Sequence, residues 1–280
     1  MNNDAKTLNY GRTGLIAVPF ILLLIFYLPT LYELVKDWAT DGNYSHGFLI
    51  PLVSLWLLWQ KKKELAELSF TPDNRGLAVT ALGLVLFIVG NAAAEYFTVR
   101  FSFIVTLFGL VHYLFGRELV KKSWFEFFFL IFMVPVPYVI YFAATFPMQL
   151  LASKITAVGL NLIGMNVVRQ GNILHIADYS LEVAEACSGM RSLVSLMALG
   201  ALFAYLTQKR FTPRILLFLA TIPIAIIGNV FRVFVTSLLA YTVTQEVTAE
   251  PLHSLLGMSV FVVAFVLMFI TGLILKQVFK

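Results

Sequence analysis

Long apolar runs separated by short polar stretches dominate the chain. A helix needs about 20 apolar residues to cross the hydrocarbon core of a bilayer. Runs of that kind predict spans near residues 14–35, 46–60, 76–95, 101–116, 123–145, 188–206, 214–243 and 252–275, the second and fourth of them short. Pro19, Pro29, Pro51, Pro135, Pro137 and Pro223 fall inside these spans. Neighbouring helices can re-satisfy the carbonyls that such prolines free. Residues 147–165 break the pattern, because Ser153, Lys154 and Thr156 are set into an otherwise apolar run. That mixture predicts a helix lying in the membrane interface rather than a buried span. Beyond it, Ile173, Leu174, Ile176, Leu181 and Val183 are interleaved with polar residues around Asp178 and Tyr179. This predicts a small β-hairpin with its turn at Asp178-Tyr179.

The positions of Lys and Arg orient the spans. Lys6 and Arg12 precede the first; Lys61, Lys62, Lys63 and Arg75 lie between the second and third; Arg117, Lys121 and Lys122 lie between the fourth and fifth. Lys209, Arg210 and Arg214 lie between the sixth and seventh, and Lys276 and Lys280 end the chain. The alternate loops are poorer in bases: 36–45 holds one lysine, 96–100 one arginine, and 244–251 none. Cytoplasmic loops carry the excess of Lys and Arg, so both termini are expected in the cytoplasm and 146–187 outside it. The expected fold class is an all-α membrane protein. It is a bundle of about eight transmembrane helices, with a small extracytoplasmic interfacial helix and a β-hairpin before span six, in a single polytopic domain over 1–280.

Composition agrees and removes alternatives. Sixty per cent of residues are hydrophobic and 12% charged, against about 25% charged in soluble domains. The net charge of +5 sits in the short loops and is a topological signal, so no nucleic-acid partner is expected. The first apolar run lacks a small-residue cleavage site, so no cleavable signal peptide is expected. Cys187 is the single cysteine, which excludes an intrachain disulfide.

Topology brings three reactive residue types to one side of the membrane. Cys187 starts span six from outside, and His253 starts span eight from outside just after Pro251. Arg232 lies in span seven, roughly 15 Å below its outer end at 1.5 Å per residue. A lone cysteine in a membrane helix is ordinarily a packing residue. Here its neighbours are Glu182, Glu185, Ser188, Gly189 and Arg191. Ser188 can cap the helix, and a helix N-terminus favours the thiolate, which is the setting of a nucleophile. An arginine within a span is costly and marks a functional site by default; the competing roles are a snorkelling side chain or a structural pair, for example with Glu182 or Glu185. Arginine cannot serve as a base, so its chemical role would be to stabilise an oxyanion or orient a carboxylate. Asn229, one turn before Arg232, faces similarly. His253 is either a solvated interfacial histidine or an acid–base group. Arg191, four residues after Cys187, either tunes the thiolate, binds substrate carboxylates or is structural. His46, at the outer start of span two beside a capping Ser45, is a supporting candidate. His112 falls at the inner end of span four and His175 in the hairpin. The histidines are too scattered for a metal site, there is no glycine-rich phosphate loop, and no cofactor is expected.

Glu-Ala-Cys-Ser-Gly-Met-Arg-Ser at 185–192, Gly-Asn-Val-Phe-Arg-Val at 228–233 and Pro-Leu-His-Ser at 251–254 resemble the exosortase/archaeosortase family. Asn-Tyr-Ser-His-Gly-Phe-Leu-Ile-Pro at 43–51 resembles that family's amino-terminal signature. Together these motifs span nearly the whole chain in the family's order. The resemblance implies a catalytic Cys187, Arg232 and His253, the histidine placing the chain on the exosortase side, since archaeosortases have arginine there. It implies substrate proteins with a carboxy-terminal sorting signal: a short motif such as Pro-Glu-Pro, a transmembrane helix and a basic cluster. It also implies a bacterial cytoplasmic membrane location, with a lipid or glycan as a possible acceptor. Some relatives carry a soluble domain after the last span; the expectation here is a chain without it.

The expected activity is that of a membrane cysteine peptidase or transpeptidase. One rival keeps the chemistry but transfers to water. The other is a transporter or flippase for polysaccharide or lipid precursors, with Arg232 in its pathway and no covalent catalysis. Transporters often show two related halves, and none is visible in this sequence.

Overall fold

Pro135-Val136-Pro137 divides the chain. Proline removes a backbone donor and biases the preceding residue away from helix. In the computed structural model the chain separates here into two compact units, Met1–Pro135 and Val136–Lys280. The structure describes residues 10–176, 179–183, 190–243 and 252–279, with side chains over 16–176, 180–183, 193–243 and 255–279.

The first unit comprises α1 (Tyr10–Thr40), a 3₁₀ turn (Ser45–Phe48), α2 (Leu49–Gln60), α3 (Lys62–Ala66), α4 (Asn74–Ala92), α5 (Tyr96–Phe115), α6 (Arg117–Lys122), α7 (Trp124–Phe129) and a second 3₁₀ turn (Leu130–Met133). The second comprises α8 (Tyr138–Leu162), strands β1 (Val167–Gln170), β2 (Ile173–Ile176) and β3 (Tyr179–Glu182), and helices α9 (Met190–Thr207), α10 (Phe211–Thr242) and α11 (Leu252–Val278). Proline is absorbed at Pro19, Pro29, Pro147 and Pro223 without ending a helix.

Five described helices are long and apolar enough to cross a membrane, or six if the broken pair Trp124–Met133 and Tyr138–Leu162 counts as one span. Eight were expected. The expected span 123–145 is not one helix, because Pro135 and Pro137 interrupt it. The residues assigned to its end and to a separate interfacial helix at 147–165 instead form the single helix α8. At 12 residues α2 covers about 18 Å. The loop expected at 96–100 is the first turn of α5, capped by Glu95, whose side chain accepts from the N–H groups of Phe97 and Thr98. Arg100 therefore lies within the helix, paired with Asp37 at 2.6 Å.

The packing is that of helices with apolar exteriors. Leu22, Ile25, Leu28, Ile88 and Val262 are exposed, while hydroxyls turn inward. Tyr27 Oη is 2.9 Å from Ser102 Oγ and 3.0 Å from Thr106 Oγ1. Small residues let membrane helices approach closely. Gly76, Gly83 and Gly90, seven apart on α4, lie against Tyr113, Thr106 and Val99 of α5. A Cβ at Gly83 would overlap Thr106 Oγ1 and stand 2.7 Å from its backbone nitrogen. Gly83→Leu is therefore expected to force α4 and α5 apart and to cost about 1–3 kcal/mol or more. A lower unfolding temperature of the detergent-purified protein checks this, with Leu82→Ala on the exposed face as the neutral control.

In the second unit the three strands form one antiparallel sheet in the order β1-β2-β3, with Val167 opposite Ile176 and Ile173 opposite Glu182. The expected hairpin had two strands; β1 was not foreseen, and Tyr179, assigned to the turn, lies in β3. Asp178 is outside the described residues. One sheet face joins Ala157 and Leu160 of α8 and Val233 of α10 in a core with Leu174, Ile176 and Val183. A second core joins Leu196 of α9, Ile224 and Ala225 of α10, and Val260, Ala264 and Met268 of α11. So α10 is shared by both cores.

Candidate active site

The sequence of α10 makes its outer half polar on one side. Asn229, Arg232, Thr236 and Ser237 follow one another at helical spacing, and all four are buried. Arg232 is 6% exposed, which bears on the snorkelling alternative. A snorkelling side chain would reach solvent; this one is enclosed by protein. At 32 residues α10 is about 48 Å long, some 18 Å more than the hydrocarbon core. Arg232 lies about 15 Å from Thr242 along the helix.

Two glycines determine what faces this side of α10. A Cβ at Gly228 would meet Val260 Cγ1 at 3.1 Å and Val260 O at 3.3 Å, so α10 and α11 touch almost backbone to backbone there. One turn outward, Gly257 of α11 leaves room for the Arg232 guanidinium. Its Cζ and Nη2 lie 3.6 Å from where a Cβ would stand. Position 253 is four residues, one helical turn, ahead of Gly257 in α11. Gly228–Val260 and Arg232–Gly257 give α10 and α11 an antiparallel register.

The chain reaches the cysteine segment from the sheet. Val183 is 1% exposed, packed in the core that contains Val233, the neighbour of Arg232. The hydrogen bond from its N–H to Asn172 O, 2.9 Å, ties it to the sheet. Description stops at Val183 and resumes at Met190. Cys187, Glu185 and Ser188 therefore lie outside the described residues. Arg191 and His253 are described only as helical positions, in the first turns of α9 and α11. Glu182 is exposed at the end of β3.

His46 belongs to the first unit. Its Nε2 lies 3.2 Å from the carbonyl oxygen of Phe132. The capping role expected of Ser45 is not found: Ser45 Oγ donates to Gly42 O at 3.3 Å, and no side chain caps the 3₁₀ turn. His112 Nε2 contacts Asp73 Oδ2 at 3.2 Å, and Asp73 also caps α4 through the Arg75 N–H. That backbone hydrogen bond, followed by the one from His112, holds the Asp73 carboxyl below the usual range. His175 Nδ1 pairs with Ser180 Oγ at 2.7 Å across β2 and β3.

The sequence reading missed Gly257, which faces the guanidinium across the helix pair. Ser153 and Thr156, read from the sequence as signs of an interfacial helix, belong with Thr145 and Gln149 to a buried polar stripe of α8. Among the described residues Asn229 Oδ1 and Thr156 Oγ1 accept or donate no hydrogen bond. The stripe was legible as polar residues recurring every three or four positions in an apolar run.

The family model described as "Transmembrane exosortase (Exosortase_EpsH)" matches residues 38–270. The chain belongs to the transmembrane exosortase family. It is a multi-pass membrane protein, and membership supports a membrane transpeptidase role in general. No curated protein and no solved structure matches it.

Proposed function

We propose that the protein is a membrane cysteine transpeptidase that cleaves the carboxy-terminal sorting signal of exported proteins at the outer face of the bacterial cytoplasmic membrane. Both termini then lie in the cytoplasm, as the basic loops argue. Cys187 is the nucleophile, Arg232 the oxyanion stabiliser and His253 the acid–base group. The substrate's transmembrane helix docks beside the bundle and presents its motif level with Cys187. The thiolate attacks the scissile carbonyl and Arg232 holds the resulting oxyanion. Collapse of that intermediate breaks the peptide bond, and His253 delivers a proton to the leaving amine. The thioester is then resolved by an acceptor nucleophile, a lipid or a glycan, from which His253 takes the proton. Arg191, Asn229, Glu185, Ser188 and His46 are supporting residues in this reading.

The observation that carries it is the seat of Arg232: a buried guanidinium against Gly257, one turn from position 253. Val183 packs in the core that holds Val233, and the four residues from Val183 to Cys187 reach at most about 14 Å. The test is to mix purified enzyme with a tagged substrate, quench in acid and map the adduct. A hydroxylamine-sensitive thioester on Cys187 is expected, and its absence under turnover conditions overturns the assignment. The mass of the product's new carboxy terminus distinguishes transfer to an acceptor from transfer to water.

A further inference from the structure

The first unit contains a cavity that the reaction above does not use. Its volume is about 580 Å³, and its walls come from α1, α2, α5, α7 and the turn that follows α7. Along α1 it runs from Phe20 to Trp38, about 27 Å at the helical rise, close to the thickness of the hydrocarbon core. Volume divided by length gives a mean cross-section of about 21 Å², roughly a quarter of that of a helix with its side chains, about 10 Å across. A substrate helix does not fit inside; a single hydrocarbon chain does. Leu24 and Leu55 line the cavity and are also exposed, so it opens sideways between α1 and α2. Phe103 and Met133 form its buried back wall.

Two wall residues are polar: Ser54, whose Oγ donates to the backbone oxygen of Glu126, and Glu126 itself. Glu126 is 1% exposed and lines the cavity. Its Oε1 pairs with Lys61 Nζ at 2.8 Å, while Oε2 accepts no hydrogen bond among the described residues. A buried carboxylate oxygen with no donor is costly, and an occupant that brings a donor removes that cost. The surrounding surface has the character of a head-group layer. Lys62, Lys63 and Lys121 are exposed, and Lys62 Nζ lies 4.4 Å over the Trp59 ring, the aromatic–basic pairing typical of membrane interfaces. The apolar tunnel and its buried carboxylate therefore match a molecule with a long chain and a small polar head.

We propose that this cavity binds one acyl chain of a membrane phospholipid. Its phosphate lies at the lysines around Lys61, and a head-group hydroxyl donates to Glu126. The site stands independently of the peptidase reading.

The test uses the full-length protein in nanodiscs containing phosphatidylglycerol with a photoactivatable acyl chain. Labelling of the buried Phe103 and Met133, which the annular lipid cannot reach, is expected at several-fold the level obtained with a phosphatidylcholine probe, which lacks a hydroxyl donor. The double variant Lys61→Met with Glu126→Leu removes both charges together, a change a fold often tolerates. It is expected to bring phosphatidylglycerol labelling down to the phosphatidylcholine level while labelling of outward-facing Leu22 and Leu28 stays constant. Labelling confined to outward-facing residues overturns the cavity site. Equal interior labelling by both probes, unchanged in the double variant, overturns the head-group assignment.

Discussion

Cells in which Cys187 is replaced by alanine are expected to accumulate uncleaved sorting-signal proteins, with the cleavage rate down by at least about 10³-fold. Removing the nucleophile of a covalent mechanism removes the pathway itself, and losses of that order or more are usual. The substitution deletes one sulfur atom, so the amount of protein in the membrane should not change. Cys187→Ser should fail almost as completely, because a hydroxyl is a weak nucleophile at its ordinary pKa and a helix terminus does not bring it near neutrality. The measurement is the ratio of precursor to product by immunoblot of a substrate tagged ahead of its sorting motif. A wild-type ratio in Cys187→Ala cells would remove the nucleophile assignment and favour the transporter reading, which needs no thiol.

The long helices α1, α4, α5, α10 and α11 were legible because hydrophobicity over about 20 residues is a strong signal and bilayer thickness sets its length. What failed was the treatment of proline. Pro147 and Pro223 stay inside helices, whereas Pro135 and Pro137 end one. Composition around them is equally apolar in each case. The difference is the pair: two prolines around a single valine remove two donors within one turn, which neighbouring helices cannot readily make good. The join of 138–146 to 147–162 followed from the same error, since a span placed at 123–145 left the next residues to be explained separately. Within the site, Arg232 was legible from its cost in an apolar helix. Gly257 was not, because a glycine in a helix reads locally as a weak helix former. Only the facing guanidinium gives it a purpose.

Arg232→Lys is expected to lower kcat for signal cleavage by about 10²–10³-fold with little change in the amount of protein in the membrane. That is the range lost when one oxyanion donor is removed. Lysine keeps the charge but loses the planar fork, and its shorter reach withdraws the donor from the developing oxyanion. The seat of the guanidinium makes a sharper comparison possible at Gly257. A Cβ there lies 3.6 Å from Arg232 Cζ and Nη2, an ordinary van der Waals separation. Gly257→Ala should therefore leave cleavage within about threefold of wild type. Gly257→Leu extends beyond that Cβ position toward the guanidinium, and a displacement of about 1 Å at a reacting centre can cost about 10²-fold. Its effect should appear in kcat rather than KM, because a group that acts only on the transition state contributes nothing to ground-state binding. A merely structural arginine would behave differently. In that case Gly257→Leu and Arg232→Lys would lower the unfolding temperature and the protein level together, and the surviving protein would cleave at the wild-type rate.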